Sequence, residues 1–548
     1  MITCKIGRLI IGQSTWSTLW SLRPFHPLHL SAIGCHESPG LFRCDQCTGQ
    51  AHWCEACCFV VHQTSPFHCP KKWNGKCFKN VDLDKLGLTI FFGHGGDPCP
   101  LLPTYTAMCI SQTQDDGDIT MADIDSNEWE DEVHTGYIGD RMRFVDSTGI
   151  FSRHVRWCCC PHNDGEKLSP DLQLLGAQIY PATSGKPSTR FTFNVLEDFW
   201  LDALECKTAA MNFLLKLHRL TNCVFPFSVP DVYPAFMRCS RQYQNLQNLI
   251  RAGLAHDQNR AQTPGDLGLS CVTCPQIGKN VTSAEFDALS DLYVSAPIII
   301  QSFKLLASKL YRPQVVTDGN FKLDNLKMRN PNDDVRLSDG EMFCVGSVLY
   351  EEHLRITLER KQRSNCNNNC AVNETNAKRK DVDSTGIGAC TCVRHGCFYL
   401  HSVVGFYSSL RRQANMDYAI SEVFRQLPTR IKEFLLIYDI SCQWVVHWIE
   451  RFLNGDYLFY RDDLVLTAAV GKFHLGAHVL GCFWEFSLNF MEGTGQVDGE
   501  ILETLWASLD KVVGSTQSMS RAHQQEVLDD YMNDSNWKKM CGTGMLTL

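Results

Sequence analysis

The sequence predicts an α/β protein: a core of mixed strands and helices carrying helical insertions, preceded by a small metal-stabilised module. Three observations lead there. The chain has 28 cysteines, and half of them lie before residue 165, interspersed with His, Trp and Phe. From about residue 190 apolar positions recur at helical spacing, as in FTFNVLEDFWLDALEC and RQYQNLQNLIRAGL. From 312 onward short strand-like runs alternate with helices, in the order strand, turn, strand, helix, strand, helix. That order is the one expected of an RNase H-like core.

Composition sets the outer limits. A chain of 548 residues has room for roughly two to four domains. Its 44% apolar and 20% charged residues are ordinary for a folded soluble protein. No apolar run approaches the ~18 residues of a membrane-spanning helix, the best being 294–300, so no membrane partner is expected. The first 30 residues lack both a long apolar stretch and a small-residue cleavage site, which argues against secretion. Without export, this density of cysteine points to zinc rather than disulfides. The net charge of −9 decides little, because 115–132 alone holds nine acidic residues and no basic one. Local basic surface is available around Arg355, Arg360, Lys361 and Arg363, at 378–380, and at Arg411 and Arg412.

In chain order, 1–34 is expected to be an unstructured or wrongly included leader. Residues 35–165 form a cysteine-cluster zinc domain, with an acidic disordered insert at 112–135. Strand-like alternation returns at 145–161. Residues 170–300 are mostly helical, and 310–540 form the RNase H-like core, truncated at its C-terminal end. Within that core, 312–358 reads as short strands with an Asp-Gly turn at Asp339 and Gly340, and 362–395 as a polar Cys/Asn-rich insert. A helix at 415–428, an apolar strand at 433–440 and helices at 443–452 and 504–513 complete it.

Five sets of residues suit metal. Cys44 and Cys47 (CDQC), Cys54 and Cys57 (CEAC), then His62 and His68 supply ligands for one or two tetrahedral zinc sites, because a C-x₂-C turn brings both sulfurs to one ion. Cys35, Cys99, Cys158 and Cys160 are candidates for a second. Cys271 and Cys274 form a lone C-x₂-C that needs Cys239 or a later residue to complete it. Between the two aspartates described next lie Cys366, Cys370, Cys390, Cys392, His395 and Cys397. Lastly His474, His478 and Cys482 are spaced by four and would share one face of a helix.

The carboxylates carry the chemistry. Asp318 stands in VVTDGNF and Asp439 at the end of FLLIYDI, an apolar run suited to a central strand. A strand-end carboxylate is costly to bury unless a cation compensates it. Glu500 and Glu503 in VDGEILETLW are three apart and can share a helical face. Carboxylates gathered from distant positions offer the hard oxygens that Mg²⁺ or Mn²⁺ needs in two-metal phosphoryl transfer.

Longer stretches go further. STGIGACTCVRHGCF, NMDYA, YDISCQW, VDGEILETLW and LDDYMNDSNWKK, with LLGAQIYPATSGKPSTRFTFNVLEDF and VTDGNFKLDNLKMRN, resemble the KDZ (Kyakuja–Dileera–Zisupton) transposases of fungi. FHCPKKWNG, FGHGGDPC and WCCCP resemble the cysteine-cluster domain attached to those transposases. The resemblance implies a DDE-type cut-and-paste DNA transposase with Asp318 and Asp439 as its first two acids. Glu503 is the choice for the third, with Glu500 as rival. It further implies DNA as partner, a homo-oligomer on that DNA, and the nucleus as compartment. The chain departs from the family pattern where GFYSSLRRQ replaces a charged segment, where Cys370 stands in place of a histidine, and where it stops soon after NDSNWKK. The alternative is an inactive, transposon-derived zinc protein that binds DNA or chromatin.

Overall fold

The computed structural model describes residues 32–49, 51–101, 140–161, 165–183, 188–257, 260–286, 309, 311–357, 366, 381–407 and 412–546. The acidic insert 112–135, most of the leader, the apolar run 294–300, Cys370, and the basic residues at 360–363, 378–380 and 411 lie outside the described residues. Among the described residues no helix is long and apolar enough to cross a membrane. The chain divides into two units, Met1–Ala203 with Thr208–Tyr243, and Leu204–Lys207 with Gln244–Leu548.

The first unit begins with a four-stranded antiparallel sheet, β1 (Phe42–Cys44), β2 (His52–Trp53), β3 (Pro70–Trp73) and β4 (Phe78–Asn80), in the order β2-β1-β3-β4. Helix α1 (Glu55–His62) packs on it. The apolar core there is small, centred on Phe42, Cys44, Trp53 and Cys58. So small a core needs further support, which contacts to the second sheet through Phe67 and Asp82 supply in part and which the cysteines and histidines around it are placed to add. A second sheet follows, of β5 (Thr89–Phe91), β6 (Asp140–Asp146), β7 (Gly149–Arg156), β8 (Ile179–Pro181) and β9 (Thr189–Thr192), ordered β5-β7-β6-β9-β8. Beside it run α2 (Pro170–Gly176), α3 (Phe193–Cys206), α4 (Ala210–Thr221) and the first part of α5 (Tyr233–Arg251), whose residues from Gln244 onward belong to the second unit. Phe199, Phe213 and Phe236 meet within this unit's core, with ring centroids 4.9–5.7 Å apart. Cys239 is buried in the same core, so it does not complete the Cys271/Cys274 pair.

The second unit is built on a five-stranded sheet. Its strands are β10 (Gln314–Asn320), β13 (Ile387–Cys392), β14 (Val404–Gly405), β15 (Glu433–Tyr438) and β16 (Val465–Ala469), while β11 (Asn325–Leu326) and β12 (Val382–Ser384) pair separately. The order is β14-β13-β10-β15-β16, with β13 antiparallel to both β10 and β14, and β10, β15 and β16 mutually parallel. Both faces are covered. Val316, Ala389, Leu435 and Ile437 enter one core, and their neighbours Val315, Cys390, Phe434 and Leu436 the other. This two-sided burial is why β15 reads as an unbroken apolar run.

The first face packs against α12 (Ile501–Leu509) and α14 (Arg521–Leu546), the second against α6 (Ser347–Ile356), α7 (Arg412–Gln426), α8 (Ser441–Trp444) and α9 (Trp448–Leu453). Short helices α10 (Lys472–Leu475), α11 (Leu480–Phe486) and α13 (Val513–Thr516) fill the connections.

Three elements differ from expectation. Residues 347–356 form a helix instead of strand, started by Asp339, whose carboxylate accepts from the Ser347 N–H at 2.9 Å and hydroxyl at 2.7 Å. The single helix at 443–452 is two, broken at His447 with φ of 61°. The end of the polar insert 362–395 is strand β13, buried along its whole length.

Candidate active site and metal centres

The sheet brings the acids together. Strands β10 and β15 are parallel neighbours, and their last paired residues are Thr317 and Tyr438. Asp318 and Asp439 are the next residues on each strand, so the register sets them side by side. Helix α12 lies over this end, and Trp506 donates its indole N–H to Asp318 Oδ2 at 3.3 Å. Glu503, three residues earlier, stands one turn along the same helix face. Glu500, just ahead of α12, accepts the Phe473 backbone N–H at 2.9 Å and lies 3.4 Å from His474 Nε2. The same Nε2 is 3.4 Å from Asp439 Oδ2. A side chain at Gly471 would collide with the Glu500 carboxylate, so the close approach requires glycine there.

Electrostatics separates the two glutamates. Burial pushes the Asp318 carboxyl up to about 7, and the charges of Asp439 and Glu503 add to that. Asp439 rises to about 6, first by burial, then through Glu500 and Glu503, with His474 opposing. The charge of Glu503 acts on both aspartates, while Glu500 acts on Asp439 and is held by Phe473 and His474. His474 is raised to about 9, chiefly by its hydrogen bond to Glu500. Three carboxylates crowd one strand end, and His474 is the cation beside them. Such a set of hard oxygens, with burial pushing the Asp318 and Asp439 carboxyls up, fits divalent cations of the Mg²⁺ class.

Cysteine and histidine gather in five groups among the described residues. Cys44, Cys47, His62 and His68 form one, and Cys35, Cys54 and Cys57 another, so the two C-x₂-C pairs serve different centres. Their ligands alternate along the chain, which ties the module together from both ends. His62 directs Nδ1 to the Cys58 carbonyl at 2.7 Å and Nε2 to Cys47 at 3.5 Å, the pattern of a histidine oriented for a metal.

A third group joins Cys158 and Cys160 to Cys99 and His94, whose Nε2 is 3.3 Å from each of the first two sulfurs. Cys99 is held down to about 6, chiefly by the Cys159 backbone N–H. In a fourth, His395 Nδ1 lies 3.4 Å from each of Cys271, Cys274 and Cys392. One ring N–H cannot point at three sulfurs. Around zinc, with bonds of about 2.3 Å to sulfur and 2.0–2.1 Å to nitrogen, a tetrahedral edge is about 3.6 Å, close to what is seen. These donor sets suit zinc.

Some expected ligands fall elsewhere. Cys390 is in the core under α7, its sulfur 3.4 Å from Thr317 Oγ1, and Cys392 at the strand's end takes its place. His474, His478 and Cys482 do not share a helix face, since the chain turns between α10 and α11. His474 belongs to the carboxylates, whereas His478 and Cys482 join Cys366 and Cys442. Cys442 and His94 escaped the sequence reading because each is isolated from other ligands. Their only local signals are YDISC and GHGGDPC.

Residues 311–536 match the family model of the Kyakuja-Dileera-Zisupton (KDZ) transposase. The chain carries a KDZ transposase domain. Residues 131–224 match the CxC2 like cysteine cluster associated with KDZ transposases, which lies N-terminal to the KDZ domain. No curated protein and no solved structure matched. The KDZ match spans all four candidate acids and His474, and its family implies DNA as partner. Of the expected basic surface, Arg355 is engaged by Glu352 on its own helix at 2.5 and 2.7 Å.

Proposed function

We propose that the chain is a DDE-type DNA transposase that cleaves phosphodiesters and transfers strands at the ends of a mobile element, acting in the nucleus where that DNA resides. The observation that carries this is the meeting of Asp318, Asp439 and Glu503, from segments far apart in sequence, at one end of a five-stranded sheet. A five-stranded sheet with β13 antiparallel to both its neighbours and helices on both faces supports an RNase H-like reading of this core. Asp318, Asp439 and Glu503 would hold the divalent cations, which when bound activate the attacking oxygen and stabilise the leaving one.

The protein's own part is to position and to exclude. The sheet register keeps the two aspartates adjacent, Trp506 orients Asp318, and His474 braces Asp439 against Glu500. A phosphodiester entering there meets oxygens whose spacing is already set.

The test uses purified full-length protein, DNA carrying the element's terminal sequence, and Mg²⁺ or Mn²⁺. Nicking and strand transfer are expected. Asp318→Asn and Asp439→Asn should each abolish both while DNA affinity stays within about twofold. Binding without cleavage by the wild-type protein would instead establish the non-catalytic DNA-binding reading.

A further inference from the structure

The fifth Cys/His group lies next to the carboxylates and has a geometry of its own. Cys366 and Cys442 place their sulfurs 3.3 and 3.4 Å from His478 Nδ1, and Cys482 closes the set, all ligand atoms lying within 4.8 Å of one another. The four come from separate segments: Cys366 precedes β12, Cys442 is in α8, His478 is between α10 and α11, and Cys482 is in α11. Val470, Leu475 and Phe486 wrap the group in an apolar shell. Cys366 and Cys482 are buried, Cys442 and His478 partly so, and one ring nitrogen faces two sulfurs at nearly equal range, as in the His395 group.

The placement matters more than the ligand count. Cys442 is the third residue after Asp439, in the helix that directly follows it. His478 is the fourth after His474, the residue that bridges Asp439 and Glu500. The backbone of Asp439 also acts electrostatically on the His478 ring, opposing the effect of its burial. A ligating histidine typically spends its second nitrogen on such an outer partner, and here that partner is a catalytic residue.

We propose that Cys366, Cys442, His478 and Cys482 bind a structural zinc ion that positions Asp439 and His474, so that a soft-ligand site sets the geometry of the hard-ligand site. This rests on the carboxylates being the cation-binding centre. His478 is thus a positioning residue, acting through Asp439.

The experiment measures three things on full-length protein: zinc content, the Co²⁺ spectrum after exchange, and Mn²⁺ affinity at the carboxylates by electron paramagnetic resonance titration. Cys442→Ser should lose one zinc per chain relative to wild type and weaken Mn²⁺ binding by roughly 10–100-fold. His478→Cys keeps four ligands. It should retain the zinc and a thiolate-type Co²⁺ spectrum, yet still weaken Mn²⁺ binding, because the interaction with Asp439 is gone. Circular dichroism and unchanged DNA affinity separate these effects from unfolding, and His478→Cys serves where Cys442→Ser fails to fold.

Unaltered zinc content in Cys442→Ser overturns the site. Zinc loss with unaltered Mn²⁺ affinity, or full Mn²⁺ affinity in His478→Cys, overturns the coupling. A wild-type protein that binds Mn²⁺ in this zinc-dependent way without cleaving DNA would remove the transposase reading and leave the inference standing.

Discussion

Asp318 sits where an ionised carboxyl is poorly tolerated, and that has a measurable consequence. Its folded-state value of about 7 exceeds the ordinary 3.8, so the native state holds this proton more tightly than the unfolded chain does. As pH rises through that interval, unfolding becomes easier, and the full penalty is present above about 7. Asparagine cannot ionise. Without added Mg²⁺, Asp318→Asn is therefore expected to be more stable than wild type at pH 8, by on the order of 1–3 kcal/mol. The gain should shrink as pH falls and vanish below about 4, which thermal melts across that range would reveal. A wild-type protein that is more stable than the variant at pH 8 would contradict the burial argument. Asp439 stood out in the sequence because a charge at the end of FLLIY has few structural reasons to exist, whereas Asp318, in an Asp-Gly pair that also suits a turn, was singled out chiefly by the family resemblance. Glu503 and Glu500, three residues apart, could not be ranked from spacing, and α12 adds only that the charge of Glu503 acts on both aspartates.

At the scale of elements, α8 holds Asp439's flank, and what holds α8 is a buried ion pair. Asp417 on α7 is 2% exposed and accepts from the Trp444 indole at 2.7 Å and from Arg451 Nε at 2.7 Å. Removing the carboxylate leaves the Trp444 indole N–H without its acceptor and takes the counter-charge from Arg451, which keeps its bonds to the Val446 and Trp444 carbonyls. Asp417→Ala should thus cost about 3–5 kcal/mol in chemical denaturation. A cost under about 1 kcal/mol would mean the pair is not what fixes α8.

Strand β15 was readable as an unbroken apolar run because both of its faces are buried. Strand β13 was not, since IGACTC is small and cysteine-rich and sits in a polar neighbourhood. Its burial depends on partners from β10 and β14. Helix α6 was missed for the opposite reason: VGSVLY favours strand locally, and Asp339 together with the burial of Tyr350 and Leu354 overrides that preference.

For the whole molecule, zinc and DNA give the accessible tests. Between residues 32 and 101 the apolar core is small and two interleaved Cys/His groups surround it. Chelation of zinc should expose this stretch to protease first, while the strands of the second unit, buried on both faces, resist longer. Equal cleavage rates throughout would show that the module does not depend on metal. DNA affinity should fall linearly with salt on logarithmic axes, by about 0.9 per phosphate contacted. A flat salt profile would argue against a phosphate-tracking surface.

By itself the sequence determined the α/β character, the cysteine-rich start, the two strand-end aspartates and the resemblance that the KDZ match then bore out. These are local properties: periodicity, ligand spacing and the cost of a charge beside apolar residues are all written within a few positions of one another. The sorting of ligands into groups, the replacement of Cys390 by Cys392, the assignment of His474 to the carboxylates and the pairing of Cys366 with Cys442 were decided by tertiary structure alone. Each depends on distance between segments tens to more than a hundred residues apart, which sheet register and helix packing set and spacing along the chain does not encode.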